Sequence, residues 1–183
     1  IVLEPLGGLA NRMRVIASGI RLMKETNQEL NVIWNLDEEL NCDFNVLFKA
    51  IPNITFISKD KKFLYLHRSN QVKLHKRIKA YLRNKLLGID YFITEGDLKN
   101  HAFRNKFKKI VQNKRNVFIS TNQEFGASYL EYKNFIPTIP IQEVINRQKK
   151  LFAVNTIGIH IRQTDNYIAI KESPLSLFID QIK

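Results

Sequence analysis

Short apolar runs rich in β-branched residues alternate with helix-period stripes along this chain. A sequence patterned that way is expected to build an α/β domain around a mostly parallel sheet. Val2-Leu3 starts a buried strand that runs into the turn signal Pro5-Leu6-Gly7-Gly8. Leu9, Met13, Ile16, Ile20 and Met23 then recur at spacings of four and three, one face of an amphipathic helix with Arg12, Arg14, Arg21 and Lys24 off it. Asn27 fits the stop. Leu30 to Trp34 reads as a second strand and Ile54 to Ile57 as a third. Between them, Asp37 to Ala50 reads as a short helix or ordered loop carrying Phe44, Leu47 and Phe48.

Further along, Leu74, Ile78, Leu82 and Leu86 make another helical stripe, closed by Gly88 in the position just past a helix end. Tyr91 to Thr94 is a short strand. Asp97 fits an N-cap, with Phe103, Phe107 and Ile110 as the buried face behind it and Lys108 and Lys109 at the negative end of the dipole. Asn116 to Thr121 is another strand. Pro137 and Pro140 break the chain, and Pro140 suits the first turn of a helix through Lys150. From Thr156 to Arg162 the residues alternate, with Ile157, Ile159 and Ile161 on one face and Gly158, His160 and Arg162 on the other. A boundary is expected between 137 and 154.

At 183 residues the chain has room for one domain or slightly more. Its 44% hydrophobic and 25% charged content excludes a disordered or collagen-like polymer. Cys42 is the single cysteine, which leaves no internal disulfide and no cysteine-based zinc site. No apolar run reaches the ~20 residues a membrane-spanning helix needs, and no targeting leader is seen at the start. Twenty-nine Lys and Arg against 17 Asp and Glu give a net charge of +12, which concentrates anionic partners near the surface. The basic residues crowd at Lys59 to Lys62, Lys73 to Lys85 and Arg104 to Arg115. Such runs are usually solvated faces. A nucleic-acid-binding module is the alternative they raise, without an RNA-recognition aromatic motif or zinc-finger spacing to support it.

Two segments could carry chemistry. Gly7-Gly8-Leu9-Ala10-Asn11-Arg12 joins a strand to a helix, where glycines permit a sharp bend and free N–H groups at the helix start attract anions. No Gly-Lys-Ser/Thr follows, so it is not a P-loop, and it lacks the third glycine of a dinucleotide fingerprint. A purely structural turn is the commoner reading of such glycines. The second segment is His160-Ile161-Arg162-Gln163-Thr164-Asp165-Asn166. It puts Arg162 at the carboxyl end of a strand, where ligands of open α/β sheets bind, and a guanidinium there can fork onto two phosphate oxygens. Asp165 could orient it or cap the next helix. A buried histidine with a surface Arg–Asp pair accounts for the same residues equally well.

Gly-Gly-Leu-x-Asn-Arg after the first strand, joined to His-x-Arg-x-Thr-Asp downstream, resembles the fucosyltransferase superfamily that uses GDP-fucose. The nearest likeness is to bacterial members akin to the α1,6- and protein O-fucosyltransferases. Trp34-Asn35, Asn41-Cys42-Asp43-Phe44 with Leu47-Phe48, and the stretch from Asn166 to Pro174 add to it. The resemblance implies a GT-B enzyme of two Rossmann-like, three-layer lobes: residues 1–150 as the N-terminal lobe, and residues 151–183 as the start of an incomplete C-terminal lobe holding the nucleotide-sugar. It implies inverting transfer to a glycan or other hydroxyl acceptor with no metal or other cofactor, and a cytoplasmic or membrane-peripheral bacterial protein. No Asp-x-Asp stands in the chain to hold a metal on a diphosphate. By position, Arg162 would stabilise the leaving β-phosphate, His160 and Asp165 would shape the donor site, and Gly7, Gly8 and Arg12 would line the facing wall. Asn11 would there hydrogen-bond donor or acceptor. Gln163 replaces the second arginine of close α1,6-type relatives, which also raises a non-catalytic relative as an alternative. Glu172 lies near the expected stretch for a general base but out of register.

Overall fold

The computed structural model describes residues 1–59, 88–158, 171 and 174–182. The chain divides into two compact units, Ile1–Gln142 and Glu143–Lys183. The first contains a five-stranded, all-parallel sheet of β1 (Val2–Pro5), β2 (Leu30–Asn35), β3 (Ile54–Lys59), β4 (Tyr91–Thr94) and β5 (Val117–Thr121) in the order β3-β2-β1-β5-β4. This is a Rossmann-like α/β lobe. The chain leaves β1 toward β2 and β3 on one side, and β5 lies against the other side of β1 with Leu3 opposite Ile119 and Pro5 opposite Thr121. That reversal puts a topological switch point at the carboxyl ends of β1 and β5, the usual ligand crevice of such sheets.

Helix α1 (Leu9–Thr26) ends at Asn27, which takes the left-handed conformation (φ 52°) expected of a stop. It buries Val15, Ile16, Ala17, Ile20 and Leu22 against Leu3, Leu30, Val32 and Trp34. Gly19 is where helix and sheet come closest: a Cβ there would lie 2.7 Å from Leu3 Cδ2 and 3.3 Å from Leu30 Cδ2. Both leucines are buried and have no space to retreat into. Gly19→Ala should therefore cost about 1–3 kcal/mol through overpacking, read as a lower urea midpoint at unchanged slope, although alanine is the better helix former.

Between β2 and β3 the chain is pinned by aromatics. Trp34 Nε1 donates to the Cys42 carbonyl at 2.8 Å, and the Phe44 ring meets Trp34 edge-on at 5.4 Å and stacks on Phe56 at 3.7 Å. The short helix α2 (Phe44–Leu47) results. The opposite sheet face carries a smaller cluster of Ile33 and Phe118 with Val2, Ile89 and Phe92.

Two expectations are corrected. The helix read from Asp97 is two helices, α3 (Glu95–Lys99) and α4 (His101–Gln112). Thr94, not Asp97, is the N-cap of α3. Asp97 stands three residues on and completes a capping box, its carboxylate accepting the Thr94 N–H at 2.9 Å. Asn100 then caps α4, accepting the N–H groups of Ala102 and Phe103 at 2.9 and 3.3 Å. The strand read from Thr156 is absent from 156–158, because Thr156 closes a turn on Ala153: Oγ1 accepts the Ala153 N–H at 2.7 Å and the Thr156 N–H donates back at 3.1 Å. Its remaining residues, and the stripe from Leu74 to Leu86, lie outside the described residues.

Helix α5 (Tyr129–Tyr132) follows β5 and opens with a second capping box, Ser128 with Glu131. Helix α6 (Ile139–Lys149) carries Pro140 in its first turn, as expected. In the second unit, α7 (Leu175–Ile182) leaves Leu175, Leu177 and Ile179 exposed.

Candidate functional site

The turn after β1 is built from two unlike glycines. Gly7 has φ +87°, a left-handed backbone, and a Cβ on it would sit 2.6 Å from Asn11 Nδ2 and 3.1 Å from Asn11 Cβ. Gly8 is extended, at φ −69° and ψ 175°, and a Cβ on it would meet nothing within 4 Å. Geometry requires glycine at 7 and leaves open space at 8. Gly7→Ala should cost about 2 kcal/mol from backbone strain and the Asn11 contact, whereas Gly8→Ala should change stability by less than about 0.5 kcal/mol. Thermal unfolding of the pair measures the contrast.

Gly8 is the N-cap of α1. It provides no capping side chain, the first turn carries no acidic residue, and the first intrahelical bond is Arg12 N–H to Gly8 carbonyl at 3.1 Å. The N–H groups ahead of it therefore point toward the crevice with the positive end of the helix dipole behind them. Asn11 is half-buried on this turn, its side-chain oxygen accepting from the Arg14 guanidinium.

Arg12 is not on the wall of the crevice but behind it. Its side chain has no solvent exposure. Nε donates to the Gly7 carbonyl at 2.7 Å, one terminal nitrogen donates to the Asn35 carbonyl, and the other meets Asp37 Oδ1 at 2.8 Å. The guanidinium also lies 5.0 Å from the Trp34 ring centroid. Burial pulls its pKa below the ordinary arginine value, while Asp37, Glu39 and Glu4 pull it back up. Asp37 in turn accepts the N–H groups of Glu39 and Leu40, both at 3.1 Å. One arginine thus ties the glycine turn to the loop after β2, a donor set that lysine could not reproduce.

Under the turn, Glu4 is 2% exposed, accepting from Asn35 Nδ2 at 2.9 Å and from Ser120 Oγ at 2.6 Å. This polar seam crosses β2, β1 and β5 on the sheet face opposite α1. The carboxylate fixes the Asn35 amide, since only its NH₂ end can face an acceptor, and Asn35 Oδ1 is left buried without a partner.

The loop after β5 forms the other side of the switch point. The Leu6 N–H donates to the Thr121 carbonyl at 2.9 Å, so the two loops leave adjacent strands side by side. Thr121 Oγ1 accepts the Gln123 N–H at 2.9 Å, and Ser18 Oγ accepts the Phe125 N–H at 3.1 Å. Glu124 is held between these anchors, with the Tyr132 hydroxyl 3.5 Å from Oε2. Neither Gln123 nor Glu124 was singled out from the sequence; the polar run Asn122-Gln123-Glu124 after a strand was the available signal.

Gly7, Gly8, Asn11 and Arg12 are therefore brought together at one end of the central strand, whereas His160, Arg162 and Asp165 lie outside the described residues. Among the described residues no group of three His, Cys, Asp or Glu is placed to hold a metal ion, and no helix is long and apolar enough to cross a membrane. No protein-family model and no curated protein matches the chain. The arrangement suits an anion: uncapped N–H donors, an open glycine and a dipole end at the crevice of a parallel sheet.

Proposed function

We propose that the chain belongs to a glycosyltransferase that takes its sugar from GDP-fucose or a close GDP-sugar. It transfers that sugar, with inversion and without a metal, to a hydroxyl on a glycan or other acceptor. The observation that carries the reading is the uncapped start of α1 behind Gly7 and Gly8 at the switch point, a receiving surface for a negatively charged group. The identity of the sugar donor rests on the resemblance of Gly-Gly-Leu-x-Asn-Arg and His-x-Arg-x-Thr-Asp.

In this reading Gly8 lets the donor or acceptor come close to the backbone, and Asn11 hydrogen-bonds it. Arg12 keeps the turn in shape from behind. Arg162 is the cation that meets the charge building on the leaving β-phosphate, with His160 and Asp165 shaping its surroundings. The protein acts in the bacterial cytoplasm or at a membrane surface.

The test is calorimetric titration of the intact protein with GDP and GDP-fucose, with and without EDTA, alongside an assay for GDP release. Saturable GDP binding unaffected by EDTA, with turnover of GDP-fucose, is the expected outcome. No binding of GDP, together with oligonucleotide binding that falls steeply with salt, would replace this reading with that of a basic nucleic-acid-binding module. GDP binding without turnover would mark a non-catalytic relative.

A further inference from the structure

A cavity lies at the end of the sheet opposite the glycine turn. It encloses about 750 Å³ between the last turn of α1 and the first residues of β2 and β3, within the range of about 300–1,000 Å³ usual for small-molecule sites. The length of β2, roughly 17 Å at the usual rise per residue, separates it from the Asn35 end. Two asparagines with left-handed backbone stand on it, Asn27 (φ 52°) and Asn53 (φ 62°), together with Asn31 and Thr55, which are register partners across β2 and β3. None of these four side chains makes a hydrogen bond among the described residues. Gln28 is a fifth polar residue of the wall. Its NH₂ donates to the Val111 and Lys114 carbonyls at 2.9 and 3.1 Å, which fixes the amide, and Oε1 is left buried without a partner.

The charge of this wall is unlike that of the rest of the chain. The whole sequence carries +12, yet among the described residues the cavity has one lysine and one glutamate, Lys24 and Glu29. Lys24 is already paired with Glu131 at 3.6 Å. A phosphate or a nucleic acid would need a surplus of cations, and a base would need an aromatic ring to stack on, which no lining residue supplies. The ligand that fits is uncharged, non-aromatic and rich in groups that both donate and accept. Amides and hydroxyls match the hydroxyls of a sugar in that respect, and Met23, Leu30 and Ile54 give the C–H faces of its rings an apolar surface.

We propose that this cavity is a binding site for a neutral glycan. Asn31 and Thr55, on strands about 4.8 Å apart, hydrogen-bond one sugar residue together, and Asn27 and Asn53 add the amides that flank it. The site holds the saccharide and makes or breaks no bond. It stands apart from the crevice and does not rest on the glycosyltransferase reading.

A glycan array carrying neutral, sialylated and sulfated oligosaccharides, probed with the intact protein at low and at high salt, tests this. Binding to neutral glycans that changes by less than about twofold between the two salt concentrations is expected, since no counterions are released. Asn27→Gly combined with Asn53→Gly removes two amides and keeps the left-handed backbone, which glycine adopts freely. That double variant should bind about tenfold more weakly or worse, the weight of two ordinary hydrogen bonds, without a lower thermal midpoint. Thr55→Trp, at an exposed position of β3, should block the cavity and abolish glycan binding while its GDP affinity stays at the wild-type value. No neutral-glycan binding by wild type, binding confined to charged glycans and lost with salt, or undiminished binding by either variant overturns the proposal. A protein that binds neutral glycans in this way but not GDP keeps this site and loses the glycosyltransferase reading.

Discussion

Arg12→Met is expected to lower the stability of the sheet-containing unit by about 3–5 kcal/mol, the loss typical of removing one partner from a buried ion pair. Methionine fills much of the same volume and still packs on Trp34, so little of the loss comes from a cavity. It comes from what is left behind. The carbonyls of Gly7 and Asn35 lose their donors, and Asp37, only 18% exposed, keeps its charge without its partner. A buried acceptor without a partner costs about 1–3 kcal/mol. Arg12→Lys should fall between the two, since one ammonium cannot serve two carbonyls and a carboxylate in that geometry. Asp37→Asn should cost less than Arg12→Met, because the guanidinium keeps both carbonyls. The measurement is urea unfolding of the four proteins. A loss below about 1 kcal/mol for Arg12→Met, within the range of ordinary surface substitutions, would show that the guanidinium does not hold the turn.

Arg12 also shows where pattern reading stops. In the sequence it stands off the apolar stripe of α1, because periodicity assigns faces by residue type. In the fold it is on the buried face, where its guanidinium meets the carbonyls of Gly7 and Asn35 and the carboxylate of Asp37. The strands were legible for the opposite reason. Leu3, Val32, Ile93 and Ile119 are buried apolar residues in short runs bounded by turn signals, and that is a local property. Strand order is not local. Nothing in either segment announces that β5 lies against β1, and the switch point exists only once that pairing is made.

Helix boundaries failed where capping chemistry overrode hydrophobic continuity. The stripe of Phe103, Phe107 and Ile110 behind Asp97 suggests one helix, yet Asn100 offers its side chain to two N–H groups and ends one helix while starting the next. The site divides the same way. Gly7 and Gly8 were legible as a bend, but their different tasks follow from one positive φ and one empty Cβ position.

The burial of Arg12 bears on the role proposed for Arg162. In the proposed transfer, negative charge builds on the β-phosphate as the sugar leaves GDP, and something positive has to meet it. The chain holds no Asp-x-Asp to bring a metal there. Arg12, the cation nearest the glycine turn in sequence, is fully committed to Gly7, Asn35 and Asp37. The helix start contributes only a fraction of a charge. The proposed reading assigns that charge to the arginine of the His-x-Arg motif. Arg162→Ala in the intact protein should lower kcat for GDP release by about 10²–10³-fold, the size of effect seen when one preorganised oxyanion contact is removed. The thermal midpoint should stay within about 2 °C, the result expected of a residue that serves the donor rather than the fold. Arg162→Lys should restore part of the rate, since charge is kept while the two-pronged geometry is lost. Added Mg²⁺ should not substitute, as the sequence holds no Asp-x-Asp to bind it against the diphosphate. Undiminished turnover by Arg162→Ala would take that arginine out of the mechanism and return the question to the cations of the central basic run.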